Sequence, residues 1–256
     1  MSTDWSAGRY EAVAERIAPI AVQVVGAVDK RLALHDATVV DLACGTGTAA
    51  LAAASVGARV TGVDLTPELI AIARTRPDAD AVRWMVADAS ETGLPNGDYD
   101  AVVSNMGIIF VEPTSLVCEV SRLLRPGGVF GFSAWVPDPS SPFFAPVIDA
   151  LGGRPAATHT PDQWGDPALV HSRLAAGFDE IGIDTGSHTW QFDAVESALH
   201  FLEHESPMHV NLLASLEETP RTRLLAAFEA ALTERADRTG RVAFVSPYLV
   251  VTARRR

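Results

Sequence analysis

The sequence predicts a doubly wound α/β fold, in which helices cover both faces of a parallel sheet. Short valine-rich runs alternate with helix-forming segments between residues 39 and 135, which is typical of parallel strands joined by crossover helices. Polar residues stand where several of these strands end: Asp41, Asp64, Asp88 and Asn105. Because ligands of such sheets bind beyond the carboxyl ends of the strands, these four residues predict one shared site.

Hydrophobic periodicity and helix-breaking residues predict the separate elements. Apolar residues at helical spacing predict an opening helix within residues 2–29. Strands are predicted over residues 39–43, 59–63, 82–86, 99–104, 129–135, 178–192 and 242–252. Helices are predicted over residues 48–56, 67–74, 113–124, 143–151, 167–176 and 193–238, the last broken at Ser206-Pro207 and Thr219-Pro220. The stretch 136–164, rich in proline and glycine, predicts a long loop that can act as a lid.

A small-residue loop follows the first predicted strand. Gly45 and Gly47 remove side chains where the backbone must approach a ligand. The helix predicted from Thr48 presents unpaired N–H groups and its positive dipole end to the same space. The loop therefore predicts a cradle for a polar small molecule.

The acids around this loop decide between two classes of ligand. The spacing Gly45-x-Gly47-x-x-Ala50 also fits the dinucleotide fingerprint, so a nicotinamide or flavin enzyme stays open. Asp41, four residues before the first glycine, suits an amino-bearing or cationic ligand better than a pyrophosphate. Asp64 can accept hydrogen bonds from two ribose hydroxyls, and Asp88 can accept one from an adenine amine.

Five motifs in order carry a resemblance to a known family. They are residues 40–47 (VDLACGTG), 62–69 (GVDLTPEL), 87–89 (ADA) with 94–95 (LP), 98–105 (DYDAVVSN) and 124–128 (LRPGG). Together they resemble class I S-adenosylmethionine-dependent methyltransferases, most nearly the type 11 small-molecule group that includes ubiquinone and menaquinone biosynthesis methyltransferases. Cys44 stands where many members have glycine. Beyond residue 136 the resemblance is one of architecture only.

The resemblance implies a Rossmann-like, seven-stranded sheet with a helical cap and an antiparallel last strand. We expect residues 1–136 to form the amino-terminal helix and the cofactor-binding half, and residues 137–192 to form a lid-like loop, a helix and a strand. Residues 193–240 would be the cap insertion, and residues 241–256 the last strand and tail. The implied cofactor is S-adenosyl-L-methionine, converted to S-adenosyl-L-homocysteine.

The resemblance also implies a role for each cofactor-binding residue. Ala43, Gly45 and Gly47 would pass close to the methionine part, with Asp41 near its amino group. The remaining expected contacts are Asp64 to the ribose, Leu65, Asp88 and Ala89 to the adenine, Asn105 and Met106 beside the sulfur, and Tyr10 closing the pocket.

Apolar residues after the fourth and fifth strands predict the wall of an acceptor pocket. Ile109, Phe110 and Trp135 would form it, which favours a lipophilic or aromatic small molecule, although core packing also explains Ile109 and Phe110. We therefore expect methyl transfer to such an acceptor by in-line displacement. The alternatives are a non-catalytic S-adenosylmethionine-binding module and a nicotinamide-dependent oxidoreductase. The sequence leaves O-, N- and C-methylation open.

A catalytic base is not evident, and the candidates lie mainly in the cap. His200, His204 and His209 are candidates because imidazole titrates near neutral pH. Their spacing does not match the zinc protease signature, since Pro207 interrupts the helix, so no metal is expected. Glu112, before Pro113, is either a base or a helix cap.

Composition limits the partners and the compartment. The net charge of −12 argues against a nucleic-acid substrate. The two cysteines predict no disulfide framework, and no apolar run is long enough for a membrane span. We therefore expect a cytoplasmic protein, as a monomer or homodimer, that acts on a small-molecule methyl acceptor.

Overall fold

The structure is a computed structural model that describes residues 3–151 and 159–256. Its helices are α1 (Tyr10–Asp29), α2 (Thr48–Ser55), α3 (Pro67–Ala73), α4 (Pro113–Leu123), α5 (Ala145–Leu151), α6 (Pro167–Leu174), α7 (Val195–His200), α8 (Pro207–Ala214) and α9 (Glu218–Thr233). Its strands are β1 (Thr38–Leu42), β2 (Arg59–Asp64), β3 (Val82–Val86), β4 (Tyr99–Asn105), β5 (Leu124–Trp135), β6 (Phe178–Phe192) and β7 (Val242–Arg255). Within these residues no helix has the length and apolar character needed to cross a membrane.

The described strands form one seven-stranded sheet in the order β3-β2-β1-β4-β5-β7-β6. Strands β1 to β5 pair in parallel, and β7 pairs antiparallel to β5, from Val129 opposite Arg254 to Trp135 opposite Tyr248. The predicted doubly wound fold with its antiparallel last strand is confirmed. The strand order reverses between β1 and β4, where such sheets bind their ligands.

The chain divides into two compact units. The sheet unit comprises residues 17–137, 159–186 and 248–256, and the helical unit comprises residues 3–16, 138–151 and 187–247. The core of the sheet unit is apolar: Val39, Val40 and Leu42 of β1 and Val102 and Val103 of β4 are fully buried. Burial on both faces explains why these strands read as continuous apolar runs.

Aromatic rings fill the helical unit. Phe143 lies at the centre, with its ring centroid 4.8 Å from that of Phe244 and 5.2 Å from that of Trp190. Such offset and edge-on pairs stabilise a core beyond the area they bury. Phe201 and Phe228 are also almost fully buried in this unit.

Some predicted boundaries differ from the observed ones. The predicted opening helix is confirmed as α1, which begins at Tyr10, whereas the fifth strand begins at Leu124, five residues before its predicted start at Val129. The break predicted at Thr219-Pro220 lies at residues 215–217, between α8 and α9, and Pro220 is in the first turn of α9, where a backbone N–H would have no intrahelical partner. The short helix predicted over residues 143–151 is confirmed as α5, and a 3₁₀ turn, Pro161–Gly165, follows, while residues 152–158 lie outside the described residues.

Candidate functional site

The glycine loop leaves β1 in a backbone conformation that disfavours side chains. Its φ angles are +54° at Gly45 and +85° at Gly47, and Ala43 also has a positive φ of +50°. A Cβ atom at Gly47 would lie 2.2 Å from Cη2 of the Trp84 ring, so the loop packs directly on that indole. Glycine at position 47 is therefore required by the turn and by the neighbouring ring.

Trp84, on β3, is a part of the site that sequence reasoning missed. Its ring also contacts Gly62, where a Cβ atom would lie 2.7 Å from Cε3. The indole N–H donates to the carbonyl of Ala79 at 3.0 Å, which fixes the ring. The one available signal was the pair of glycines, 47 and 62, on adjacent elements.

Asp64, at the end of β2, supports the loop from the side. Its Oδ2 accepts a hydrogen bond from the Gly45 N–H at 2.7 Å, and its Oδ1 accepts one from the Thr66 N–H at 2.9 Å. Burial raises the pKa of this carboxyl, while the two hydrogen bonds oppose that rise. Asp64 is therefore in direct contact with the predicted cradle.

Asp41 lies beneath the loop and is only 1% exposed. Its Oδ2 accepts from the Ala50 N–H of α2 at 2.8 Å, and its Oδ1 has no hydrogen-bond partner among the described residues. Burial, with the nearby charge of Asp64, raises the pKa of Asp41 well above its ordinary value. An orphaned buried oxygen of this kind suits a ligand that donates or carries positive charge.

The end of β4 closes on the end of β1. Met106 has a φ of +57°, and a Cβ atom at Gly107 would lie 2.3 Å from the carbonyl oxygen of Ala43. Asn105 accepts a hydrogen bond at Oδ1 from the Ser133 hydroxyl at 2.8 Å. Met106 is buried beside it.

The predicted adenine contacts follow β2 and β3. Val86 of β3 pairs with Asp64, so the residues just beyond β3 continue at the same sheet edge. Leu65 is 64% exposed and Ala89 is buried. Asp88 is exposed, and its Oδ1 accepts from the backbone N–H and the hydroxyl of Ser90, both at 2.7 Å. Asp88 thus forms a local turn in this structure, one of the common uses of aspartate.

The predicted acceptor wall has mixed exposure. Ile109 is buried, whereas Phe110 and Trp135 are half-buried. Trp135 lies edge-on to Tyr248, with the ring centroids 6.3 Å apart. Ile109 therefore packs in the core, which leaves Phe110 and Trp135 as the partly accessible members of the wall.

Glu112 is a helix cap and not a base. Its carboxylate accepts from the backbone N–H groups of Thr114 and Ser115 at the start of α4, and from the Ser115 hydroxyl. These hydrogen bonds lower the pKa of Glu112 to about 2. A carboxylate this acidic is a poor proton acceptor near neutral pH.

The three candidate histidines lie in the helical unit. His200 and His204 are exposed, with ring centroids 4.8 Å apart, and His204 is in a π-helix, Phe201–Glu205. His209 is buried: its Nδ1 pairs with the Ser206 hydroxyl at 2.8 Å and its Nε2 with the Phe143 carbonyl at 3.1 Å. Both ring nitrogens of His209 are thus already used.

No group of three or more potential metal ligands occurs within residues 3–151 and 159–256. Tyr10, the first residue of α1, belongs to the helical unit, and its ring lies edge-on to Trp5 with centroids 6.4 Å apart.

The buried state of His209 makes stability depend on pH. Burial lowers its pKa from 6.5 to about 4, so the unfolded chain takes up this proton first as pH falls. The stability that depends on neutral His209 is therefore fully present above pH 6.5 and is lost as pH falls from 6.5 towards 4. Between pH 7.5 and 5 we expect His209 to cost about 2 kcal/mol of unfolding free energy.

Urea unfolding of a His209→Gln variant measures this contribution. The difference in unfolding free energy between wild type and variant should shrink by that amount on going from pH 7.5 to 5. A His35→Gln variant is the control, since the His35 side chain is 79% exposed. An unchanged difference for His209→Gln would contradict the assignment.

The structure thus brings most of the predicted cofactor residues to one place. Asp41, Gly45 and Asp64 are linked through the loop, and Gly107 joins the β1 end to the residues that follow β4. The expected site at the reversal of strand order has its glycine cradle, its buried acids and close backbone contact. A cradle in which Cβ atoms have no room, next to an orphaned acid oxygen, fits a compact cofactor that carries positive charge.

Comparisons with known proteins find methyltransferases among the proteins similar to this chain. The family model described as a methyltransferase domain matches residues 40–132. An uncharacterized protein of Mycobacterium tuberculosis is 27% identical over 239 residues, 90% of this chain and 84% of that protein. The demethylmenaquinone methyltransferase of Thermus thermophilus is 35% identical over 139 residues, 50% of this chain and 63% of that enzyme.

A solved structure shares the fold. The phosphoethanolamine N-methyltransferase 2 of Haemonchus contortus, solved with S-adenosylhomocysteine, aligns with a TM-score of 0.55 at 20% identity, over 91% of this chain and 52% of that one. The motifs on the strand ends and the matched domain both lie in the sheet unit. Residues 40–132 therefore match the methyltransferase domain family, and the seven-stranded sheet has the class I methyltransferase fold.

Proposed function

We propose that this methyltransferase transfers a methyl group from S-adenosyl-L-methionine to a lipophilic or aromatic small molecule, by in-line displacement. The observation that carries the cofactor part is the hydrogen bond between Asp64 and the Gly45 N–H, because it joins the glycine cradle to an acid at the next strand end. When bound, the cofactor supplies an electrophilic methyl group on a positively charged sulfur.

The cofactor residues divide by the chemistry they offer. Asp64 would hold the ribose hydroxyls, and the loop at Ala43, Gly45 and Gly47 would lie along the methionine part. The buried Asp41 would offer its orphaned Oδ1 beneath that part. Leu65, Asp88 and Ala89 would surround the adenine, and Asn105 and Met106 would border the sulfur.

The acceptor proposal rests on the apolar side chains after β4 and β5. Phe110 and Trp135 offer aromatic surface that is partly accessible. The similarity to the Thermus thermophilus demethylmenaquinone methyltransferase supports the same class of acceptor. Apolar walls also exclude water, and alignment of the two reactants is the main requirement of such a displacement.

Candidate bases differ in their suitability. His209 has both ring nitrogens occupied and a pKa of about 4, so it is the weakest of the three histidines for proton removal at neutral pH. His200 and His204 keep exposed rings. We propose that His200 or His204 removes the proton from an acceptor that must lose one, or that the transfer proceeds without a protein base.

Ligand-induced thermal stabilisation and product formation test the proposal. S-adenosylhomocysteine should raise the melting temperature, whereas NAD⁺ and NADH should not, because ligand binding to the folded state alone stabilises it. With S-adenosylmethionine, a panel of naphthoquinols and phenols should yield S-adenosylhomocysteine, while phosphoethanolamine should not.

The outcomes separate the alternatives. Stabilisation by NADH alone would refute the cofactor assignment and favour an oxidoreductase. Stabilisation by S-adenosylhomocysteine with turnover only on phosphoethanolamine would keep the cofactor and refute the apolar acceptor. Stabilisation without turnover on any member of a broad acceptor panel would favour a non-catalytic binding module.

A further inference from the structure

The backbone that follows β4 is strained at the place where the proposed sulfur contact lies. Met106 has a φ of +57°, and Ala43, across from it, has a φ of +50°. Residues other than glycine adopt such angles rarely and at a cost, and they keep them only where the surroundings hold them. Gly107 is pressed against the Ala43 carbonyl, so the two strained segments contact each other.

Two fully buried serine hydroxyls hold this segment. The Ser133 hydroxyl, on β5, donates to Asn105 Oδ1 at 2.8 Å and accepts from the Met106 N–H at 3.0 Å. The Ser104 hydroxyl, on β4, donates to the Leu42 carbonyl at 2.7 Å and accepts from the Ile108 N–H at 3.2 Å. Each serine therefore fixes one side of the strained residue and uses its hydroxyl as both donor and acceptor.

The hydrogen bonds join three neighbouring strands. Ser133 links β5 to the end of β4, and Ser104 links the end of β4 to the end of β1. The side-chain oxygen of Asn105 is thereby committed to Ser133. Residues 105–108 are thus fixed relative to the glycine loop before any ligand binds.

We propose that Ser104 and Ser133 are positioning residues for methyl transfer: they hold residues 105–108 in the strained conformation that borders the sulfur of the cofactor. This inference rests on the proposed placement of the cofactor at the ends of β1, β2 and β4. Without the hydroxyls, the free enzyme relaxes around Met106, and binding must restore the strained conformation. The apparent dissociation constant then equals the intrinsic one divided by the fraction of molecules that keep the binding-competent conformation.

Calorimetric titration with S-adenosylhomocysteine tests the role of Ser133. We expect Ser133→Ala to raise the dissociation constant about tenfold, which corresponds to the release of one strained residue. Thr92→Val is the matched control, since the Thr92 hydroxyl is also buried, donates to Glu119 and accepts from the Leu94 N–H, outside the site. This control should lose stability without a change in affinity.

A second substitution separates positioning from a general loss of structure. Asparagine tolerates positive φ better than methionine. Met106→Asn therefore reduces the strain at position 106, so that less support from Ser133 is needed to hold this conformation. In a Met106→Asn background, Ser133→Ala should change the dissociation constant by less than about threefold. A merely structural role would give the same factor in both backgrounds.

Each outcome decides between the possibilities. If Ser133→Ala and Ser104→Ala bind S-adenosylhomocysteine as tightly as the wild type, the inference is wrong. If Ser133→Ala does not fold, Ser133→Cys replaces it, because a thiol keeps the size and weakens the hydrogen bonds, and an unchanged affinity of that variant would overturn the inference equally. Failure of the wild type itself to bind would refute the proposed function and not the role of the serines.

Discussion

The Asp64→Ala variant is expected to lose the rise in melting temperature that S-adenosylhomocysteine gives the wild type. Asp64 anchors the Gly45 and Thr66 N–H groups, and in the proposed complex it also accepts from the ribose. Removing a charged hydrogen-bond partner of this kind costs about 3 kcal/mol, or about 100-fold in affinity. Titration calorimetry and thermal unfolding, both at pH 8, measure the loss.

Two further variants make this result specific to the carboxylate. Asp64→Asn keeps one oxygen acceptor and should retain more affinity than Asp64→Ala. Asp80→Ala removes an exposed acid from the 3₁₀ turn before β3, and it should bind like the wild type. Retention of full affinity by Asp64→Ala would place the ribose elsewhere.

The Gly107→Ala variant is expected to lose about 3 kcal/mol of unfolding free energy, the upper part of the range for an overpacked site. The added Cβ would lie 2.3 Å from the carbonyl oxygen of Ala43, and neither atom can move without shifting a strand end. The φ of Gly107 is −89°, so the penalty comes from the contact alone. Urea unfolding of the ligand-free protein measures it.

Gly26→Ala is the matched control for this variant. Gly26 lies inside α1, and a Cβ atom there would have nothing within 4 Å. Alanine in an open helix position should stabilise the protein by up to about 1 kcal/mol. If Gly107→Ala were as stable as the wild type, the close approach of the β1 and β4 ends would be wrong.

The sheet could be predicted well because each strand has a signal in its own stretch of sequence. Residues 39, 40 and 42 of the first strand are apolar and fall on both of its faces, and Asp41 and Asp64 stand at strand ends that the pattern locates within a residue or two. Gly45 and Gly47 mark the turn because few other residues tolerate their φ angles. These signals depend on neighbours in the chain.

What could not be predicted depends on contacts distant in sequence. Ser133 is one of many serines until β5 brings it against Met106, 27 residues away in the chain. His209 reads as a possible base, and only its packing against Phe143 shows that its nitrogens are used. Pro220 reads as a helix break, although a proline in the first turn of a helix removes no hydrogen bond.

The indole of Trp84 has a consequence for how this family can vary. Its bulk occupies the room that side chains at positions 47 and 62 would need. A homologue with a small residue at 84 would leave a void beneath the turn unless a larger residue at 62 refilled it, because the positive φ at position 47 keeps glycine there. Positions 62 and 84 are therefore expected to change together, because a side chain at 62 needs the room that the indole at 84 now fills.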